Sequence, residues 1–176
     1  MKRMAALVII TQLALLAGCS SISVNHDYDR EADFASYKTY DWIPRPASAT
    51  GVNSSLNRER IRSAVENELQ AKGLRQSSAD PDLLLAFHVG VENRIEVTDW
   101  GYTYPGRYYG WGGRDIDVQQ YREGTLVVDL INSSSKQLVW RGSAQGTLHD
   151  NPTPEKREKN INNAVGKIFY NYPPKK

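Results

Sequence analysis

The chain has 176 residues, one cysteine and a formal net charge of +2, from 22 Lys and Arg against 20 Asp and Glu. A single cysteine excludes an intramolecular disulfide and any zinc site built from several thiolates. Lys2 and Arg3 lie in a segment that we expect to be removed, which leaves 20 basic residues (22 − 2) against 20 acidic ones. We therefore expect no charge-driven binding of nucleic acid.

Residues 1–18 predict a cleaved lipoprotein signal peptide. Lys2 and Arg3 form a basic head, the stretch from Met4 to Leu16 carries no charge, and small residues precede Cys19. This is the pattern of a secretory signal. The alternative is an uncleaved anchor, but a membrane span needs about 20 apolar residues. The end of the segment resembles the lipobox of bacterial lipoproteins, in which the cysteine thiol is acylated: Leu16-Ala17-Gly18-Cys19.

Acylation of Cys19 would decide where the protein resides. One acyl chain binds a membrane only marginally, and the multiple acylation that a lipobox implies would give stable anchoring. Ser20 follows the cysteine, where an aspartate would resemble an inner-membrane retention signal. We therefore expect the outer membrane, periplasmic face, with residues 19–25 as a lipidated tether and residues 26–176 as one domain.

The first half of that domain predicts two short strands and a helix. Residues 22–26 alternate weakly, and residues 37–42 are rich in aromatic residues and Thr. A helix is expected from about Ser55, ending at Gly73 in a left-handed conformation. Its apolar residues share one face at helical spacing: Ile61, Ala64, Val65 and Leu69.

The second half predicts three strands and a closing helix. From Leu83 to Val97 the large apolar residues mostly share one parity and the polar or small residues the other, which is typical of a half-buried strand. Strands at 121–131 and 137–148 are joined by a hairpin loop at 132–135. The last helix has Thr153 as its N-cap. This order favours an α+β, two-layer domain, with a mostly antiparallel sheet and both helices packed on one face.

Several segments of the chain carry motifs that belong together. Besides the lipobox and an aromatic, glycine-rich segment, they are Tyr37-Lys38-Thr39-Tyr40-Asp41-Trp42, Asp80-Pro81-Asp82-Leu83-Leu84, Tyr121-Arg122-Glu123-Gly124-Thr125-Leu126-Val127-Val128-Asp129-Leu130, Leu138-Val139-Trp140-Arg141-Gly142 and Tyr172-Pro173-Pro174. Together they resemble a known family, the small bacterial lipoproteins grouped as domain of unknown function 4136. The resemblance implies an envelope lipoprotein with an α+β domain and no assigned activity, so it supplies no catalytic residues. Asn132 and the three serines after it depart from the acidic or lysine-rich turn usual there.

Residues 99–114, called here the aromatic segment, are the candidate contact site. Aromatic rings offer large contact areas with a polar handle, and glycines let a backbone approach a partner closely. Such a segment suits a protein partner, a glycan or a lipid headgroup. It equally suits a bent hairpin that covers its own sheet edge. The candidate contact residues are Trp100, Tyr102, Tyr104, Tyr108, Tyr109 and Trp111.

We expect no catalytic residue, no metal and no cofactor. The alternating acids at 27–33 fail the calcium-loop pattern, which needs a glycine where Ala32 stands and a glutamate where Lys38 stands. Ser143 is one position away from the serine of a nucleophile elbow. The three histidines have no zinc-binding spacing. We therefore predict a non-enzymatic interaction module, with a module that binds peptidoglycan or lipopolysaccharide as the alternative.

Overall fold

The structure is a computed structural model, and it describes residues 22–44, 55–99 and 116–175. These residues form six strands and two helices, numbered here in chain order. The strands are β1 (Ser23–Tyr28), β2 (Thr39–Trp42), β3 (Arg75–Gln76), β4 (Leu83–Asp99), β5 (Ile116–Asn132) and β6 (Leu138–Leu148). The helices are α1 (Ser55–Ala71) and α2 (Pro154–Phe169).

The strands form one mixed sheet in the order β1-β6-β5-β4-β2-β3. The pairs β1–β6, β6–β5 and β5–β4 are antiparallel, and β2 is parallel to both β4 and β3. The α+β class is therefore found, but the expectation of a mostly antiparallel sheet was wrong. The reason is α1, because a helix between two strands returns the chain to the starting end of the sheet and makes the next strand parallel.

The helix boundaries follow the local signals in the sequence. Gly73 has a φ of +86°, and the backbone N–H of Leu74 donates to the carbonyl of Leu69 at 3.0 Å, which closes α1. At α2 the hydroxyl of Thr153 accepts a hydrogen bond from the N–H of Lys156 at 3.3 Å. Both predicted ends, the glycine stop and the threonine cap, are present.

Two differences concern short segments. β1 begins at Ser23, so residues 23–25, which were expected to lie in the tether, pair with β6 in the sheet. β3 is only two residues long and lies outside any predicted strand, because its two residues carry no alternating pattern. Its pairing with β2 depends on where α1 ends.

The core lies on one face of the sheet. Cross-strand partners in register place Leu85 beside Leu130, and Leu130 beside Trp140, so their side chains share that face. All three are fully buried. The ring of Trp140 stacks on Phe169 of α2 with 5.1 Å between centroids. No helix in the described ranges is long and apolar enough to cross a membrane.

Candidate interaction surface

The hairpin of β4 and β5 extends beyond the rest of the described sheet. The two strands pair over 17 residues each, from Leu83 opposite Asn132 to Asp99 opposite Ile116. On one side β2 accompanies β4 only as far as Leu85, and on the other β6 accompanies β5 only from Arg122 onward. Residues 91–99 of β4 and 116–124 of β5 are called here the ribbon. β2 pairs with none of it and β6 pairs only with residues 122–124, and the aromatic segment connects its ends.

The ribbon exposes apolar side chains that the sequence pattern predicts to be buried. Val91 is 37% exposed and Ile95 is 63% exposed, although both share the core-facing parity of the fully buried Leu85. Leu148, at the end of β6, is also exposed and lies against Gly124. The alternation predicts β4 correctly, but burial also needs a covering layer, and no described element covers Ile95.

The opposite face of the ribbon carries a small charged cluster. Arg94 donates from Nε to Glu123 Oε2 at 2.9 Å and lies 3.4 Å from Glu92 Oε2. Glu92 and Glu123 are direct cross-strand partners, so the arginine offsets the repulsion between two carboxylates. All three side chains are partly exposed, and such pairs contribute little to stability, about 0–1 kcal/mol.

A second acid–base pair lies on the same face of the sheet as this cluster, nearer the middle of the sheet. Asp129 is buried, and Arg141 on the neighbouring strand donates to it from Nε at 2.6 Å and from Nη2 at 2.8 Å. The hydrogen bonds and the charge of Asp129 raise the pKa of the Arg141 guanidinium. The side chain of Arg141 is 51% exposed and that of Asp129 only 7%, so the pair joins a solvent-accessible guanidinium to a buried carboxylate. Neither residue was singled out from the sequence.

Asp82 joins the start of β4 to the start of β2. One of its carboxylate oxygens accepts hydrogen bonds from the backbone N–H groups of Lys38 and Thr39, at 2.9 and 2.8 Å, and from the Thr39 hydroxyl at 2.8 Å. These three hydrogen bonds, first of all the one from the Lys38 amide, stabilise the ionised carboxylate and so lower the pKa of Asp82. The Asp-Pro-Asp motif before β4 is therefore a structural anchor for a parallel pair.

The predicted site residues lie outside the described ranges. This holds for Cys19 and for the six aromatic residues between Trp100 and Trp111. What the structure describes is the pair of strands that leads into and out of the aromatic segment. The signal for this arrangement was present in the sequence, because the apolar alternation of β4 runs well past the length of its neighbours.

The remaining polar candidates do not converge. His26, His88 and His149 are exposed on β1, on β4 and after β6. In the part of the chain that the structure describes, no three His, Cys, Asp or Glu side chains are placed to hold a metal ion. An open groove of about 470 Å³ lies between β1 and α2, and it is lined by Val24, His26, Asn163, Gly166, Lys167, Tyr170 and Asn171.

Comparison with protein families identifies the group to which the chain is related. The family model described as "Domain of unknown function (DUF4136)" matches residues 24–174, which is nearly the whole described structure. The chain belongs to this family. The matched range runs from β1 through the turn after α2, so it includes every helix and strand above. The resemblance inferred from the sequence motifs is confirmed. No curated protein matches the sequence.

Among the solved structures to which the chain is similar, one shows likeness of fold alone. A PDZ domain protein from Parabacteroides distasonis is 18% identical with a TM-score of 0.57, and the match covers 88% of this chain. This chain spans only 37% of the length of that protein. Two PelC dodecamer structures from Paraburkholderia phytofirmans are each 14% identical, with TM-scores of 0.46 and 0.43. Each of those matches covers 84% of this chain and 94% of the other.

Proposed function

We propose that this protein is a non-enzymatic bacterial lipoprotein, held at the periplasmic face of the outer membrane by acyl chains on Cys19, that binds an envelope protein through its ribbon and aromatic segment. The observation that supports the proposal is the ribbon itself, which extends past the packed sheet and exposes Ile95. An arm that carries uncovered apolar side chains and leads into six aromatic residues is suited to contact a partner.

The ribbon can present a contact surface only if the packed part of the domain, called here the base, is rigid. We propose a two-layer arrangement in which both helices cover the same face of the sheet. Trp42 donates from its indole nitrogen to Glu66 of α1 at 2.8 Å, and Trp140 stacks on Phe169 of α2. The strand registers place Trp42 beside Leu85 and, two strands further, Trp140 beside Leu130. A base built this way would hold the ribbon in one direction.

The proposed anchor places the domain close to the membrane. Three residues separate Cys19 from Ser23, the first residue of β1. An extended chain spans at most about 3.5 Å per residue, so the Cα atom of Ser23 would lie within roughly 14 Å of the Cα atom of the acylated Cys19. Cys19→Ser should move the protein from the membrane fraction to the soluble fraction. Wild-type protein found in the soluble fraction, or a Cys19→Ser variant that stays with the membrane, would contradict this part of the proposal.

The partner proposal is tested by crosslinking in intact cells. A photoreactive amino acid is placed at Tyr104 in the aromatic segment and, as a matched control, at Tyr170, which follows the last residue of α2 and is 83% exposed. We expect a specific crosslinked protein from position 104 and none from position 170. A photoreactive residue at position 99 should capture the same protein in the wild-type background. That product should disappear when residues 100–113 are replaced by a Gly-Ser sequence.

Two results would contradict the proposal in different ways. An unchanged crosslinking pattern in the Gly-Ser variant, with the chain still folded by circular dichroism, would mean that the aromatic segment is structural. Retention of the purified protein on isolated sacculi, lost in the same variant, would instead support the glycan-binding alternative. The proposal predicts neither result.

A further inference from the structure

The outer edge of β4 is long, regular and without a described partner strand. The backbone N–H of Ile43 donates to the carbonyl of Leu85 at 2.9 Å, which is the last described bond from β2. Because a strand directs alternate residues to alternate sides, the outward backbone groups beyond that point belong to odd-numbered residues. Within the described ranges, no strand pairs on this outer side with the backbone N–H and C=O groups of the following residues: Phe87, Val89, Val91, Asn93 and Ile95.

This edge lacks several of the features that protect free edges. Natural proteins block exposed edges with charged side chains, above all lysine, and with prolines, bulges or very short strands. Between Leu83 and Asp99 the sequence has no proline and no lysine, and the pairing with β5 has no bulge. The edge does carry charged residues, but they are of both signs, and an edge of this length is a template for pairing with another strand.

The residues along the edge complement a second copy of themselves. The sequence around Asn93 is symmetric in character. Glu92 and Arg94, one residue to either side, have opposite charges, and Val91 and Ile95, two residues to either side, are both apolar. An antiparallel pairing of two copies centred on Asn93 places Glu92 opposite Arg94 of the other copy, twice. It also places Val91 opposite Ile95, twice. Opposite charges and apolar side chains are favourable cross-strand pairs.

We propose that two copies of this protein pair edge to edge through β4, with the two-fold axis at Asn93, so that the two ribbons form one four-stranded antiparallel sheet. The backbone parity agrees with this centre, because Asn93 is an outward-facing residue and an isologous pair there exchanges two N–H···O bonds. A two-fold contact of this kind is self-complementary and closes at two copies. The inference does not rest on the proposed function, since it requires neither acylation nor an envelope partner.

Disulfide crosslinking of the full chain in cells tests the register. Residues in a hydrogen-bonded antiparallel pair have Cα atoms about 5.5 Å apart, within the range that a disulfide spans. We expect Asn93→Cys to give a covalent dimer under a mild oxidant. Val91→Cys alone should not, because two copies of residue 91 would lie four residues apart along the strand, about 14 Å. Co-expressed Val91→Cys and Ile95→Cys chains should crosslink to each other, and the wild type controls for Cys19.

A second set of variants tests the forces. Asn93→Pro removes an outward N–H without touching the bonds to β5, and Asn93→Ala keeps that N–H as the matched control. We expect the proline variant to weaken the dimer on the order of tenfold or more, measured by sedimentation in detergent, and the alanine variant to leave it nearly unchanged. Glu92→Arg or Arg94→Glu alone should also weaken it.

The double exchange Glu92→Arg with Arg94→Glu should restore dimerisation, because every cross-strand pair again joins an acid to a base. It also keeps a base beside Glu123, since residue 92 lies directly opposite Glu123 within the chain. A folded protein that remains monomeric, with no Asn93→Cys dimer, would overturn the inference. That result would assign the edge to another segment of the same chain or to a different protein.

Discussion

Ten residues of one strand separate two different environments. Leu85 of β4 faces Leu130, has Trp42 of β2 as its other neighbour and is fully buried. Ile95, on the same face of the same strand, has only Gln120 as a described neighbour and is 63% exposed. Both residues belong to the same strand, which pairs with β5 without a bulge. Alternation therefore determines which side chains share a face, and the number of covering elements determines whether that face is buried.

The largest expected effect separates the packed base from the ribbon by truncating one large side chain in each. Trp140→Ala should lower the free energy of unfolding by about 3–5 kcal/mol, because the buried indole packs on Phe169 and Tyr172. Ile95→Ala should change it by less than about 0.5 kcal/mol. Urea denaturation followed by circular dichroism measures both.

Trp140→Phe sharpens that experiment. The indole N–H of Trp140 is buried with no hydrogen-bond partner among the described residues. The phenylalanine variant removes this donor and keeps an aromatic ring, so it should cost clearly less than the alanine variant. Equal losses for Trp140→Ala and Ile95→Ala would show that the base is not the stabilising part of the domain.

A smaller effect distinguishes two arginine–carboxylate pairs on the face of the sheet opposite Leu85 and Leu130. Arg141→Ala leaves the buried Asp129 without its two hydrogen bonds, and we expect a loss of about 2–3 kcal/mol. Arg94→Ala breaks an exposed pair on the ribbon and should cost less than about 1 kcal/mol. Thermal unfolding at low and high salt gives the comparison, and similar losses for both variants would contradict it.

The smallest effect concerns the pH dependence of the base. The pKa of Asp82 is lowered from its ordinary value of 3.8, so the folded state favours the ionised carboxylate. Its contribution is therefore fully present above the unfolded pKa and is lost as the pH falls through the lower, folded pKa. Asp82→Asn should be less stable than wild type by about 1–2 kcal/mol at pH 7.

That difference should shrink as the pH falls below about 4, where the unfolded carboxyl takes up a proton. Asp80→Asn is the matched control, because Asp80 has a φ of +49° and asparagine tolerates this conformation. Urea midpoints measured from pH 7 to pH 3 test the prediction. A gap between Asp82→Asn and wild type that is constant over this range would exclude the anchor role of the carboxylate.

The sequence alone determined the local structure and the family. Thr153 and Gly73 mark helix ends through their own hydrogen bonds and backbone conformation, and the apolar faces of α1 and β4 follow from spacing. The same local patterns carry the motifs by which the chain is recognised as a family member. Each of these features depends on residues within a few positions of one another.

Only the tertiary structure decided the parallel pairing of β2, the partnership of Asp129 with Arg141 and the exposure of Val91 and Ile95. Each depends on which strands lie side by side and where the neighbouring strands end. Residues 12 or more positions apart decide those contacts, and the alternation of a single strand carries no record of them. The ribbon is therefore the part of this molecule that a strand pattern predicts to be buried and the fold leaves open.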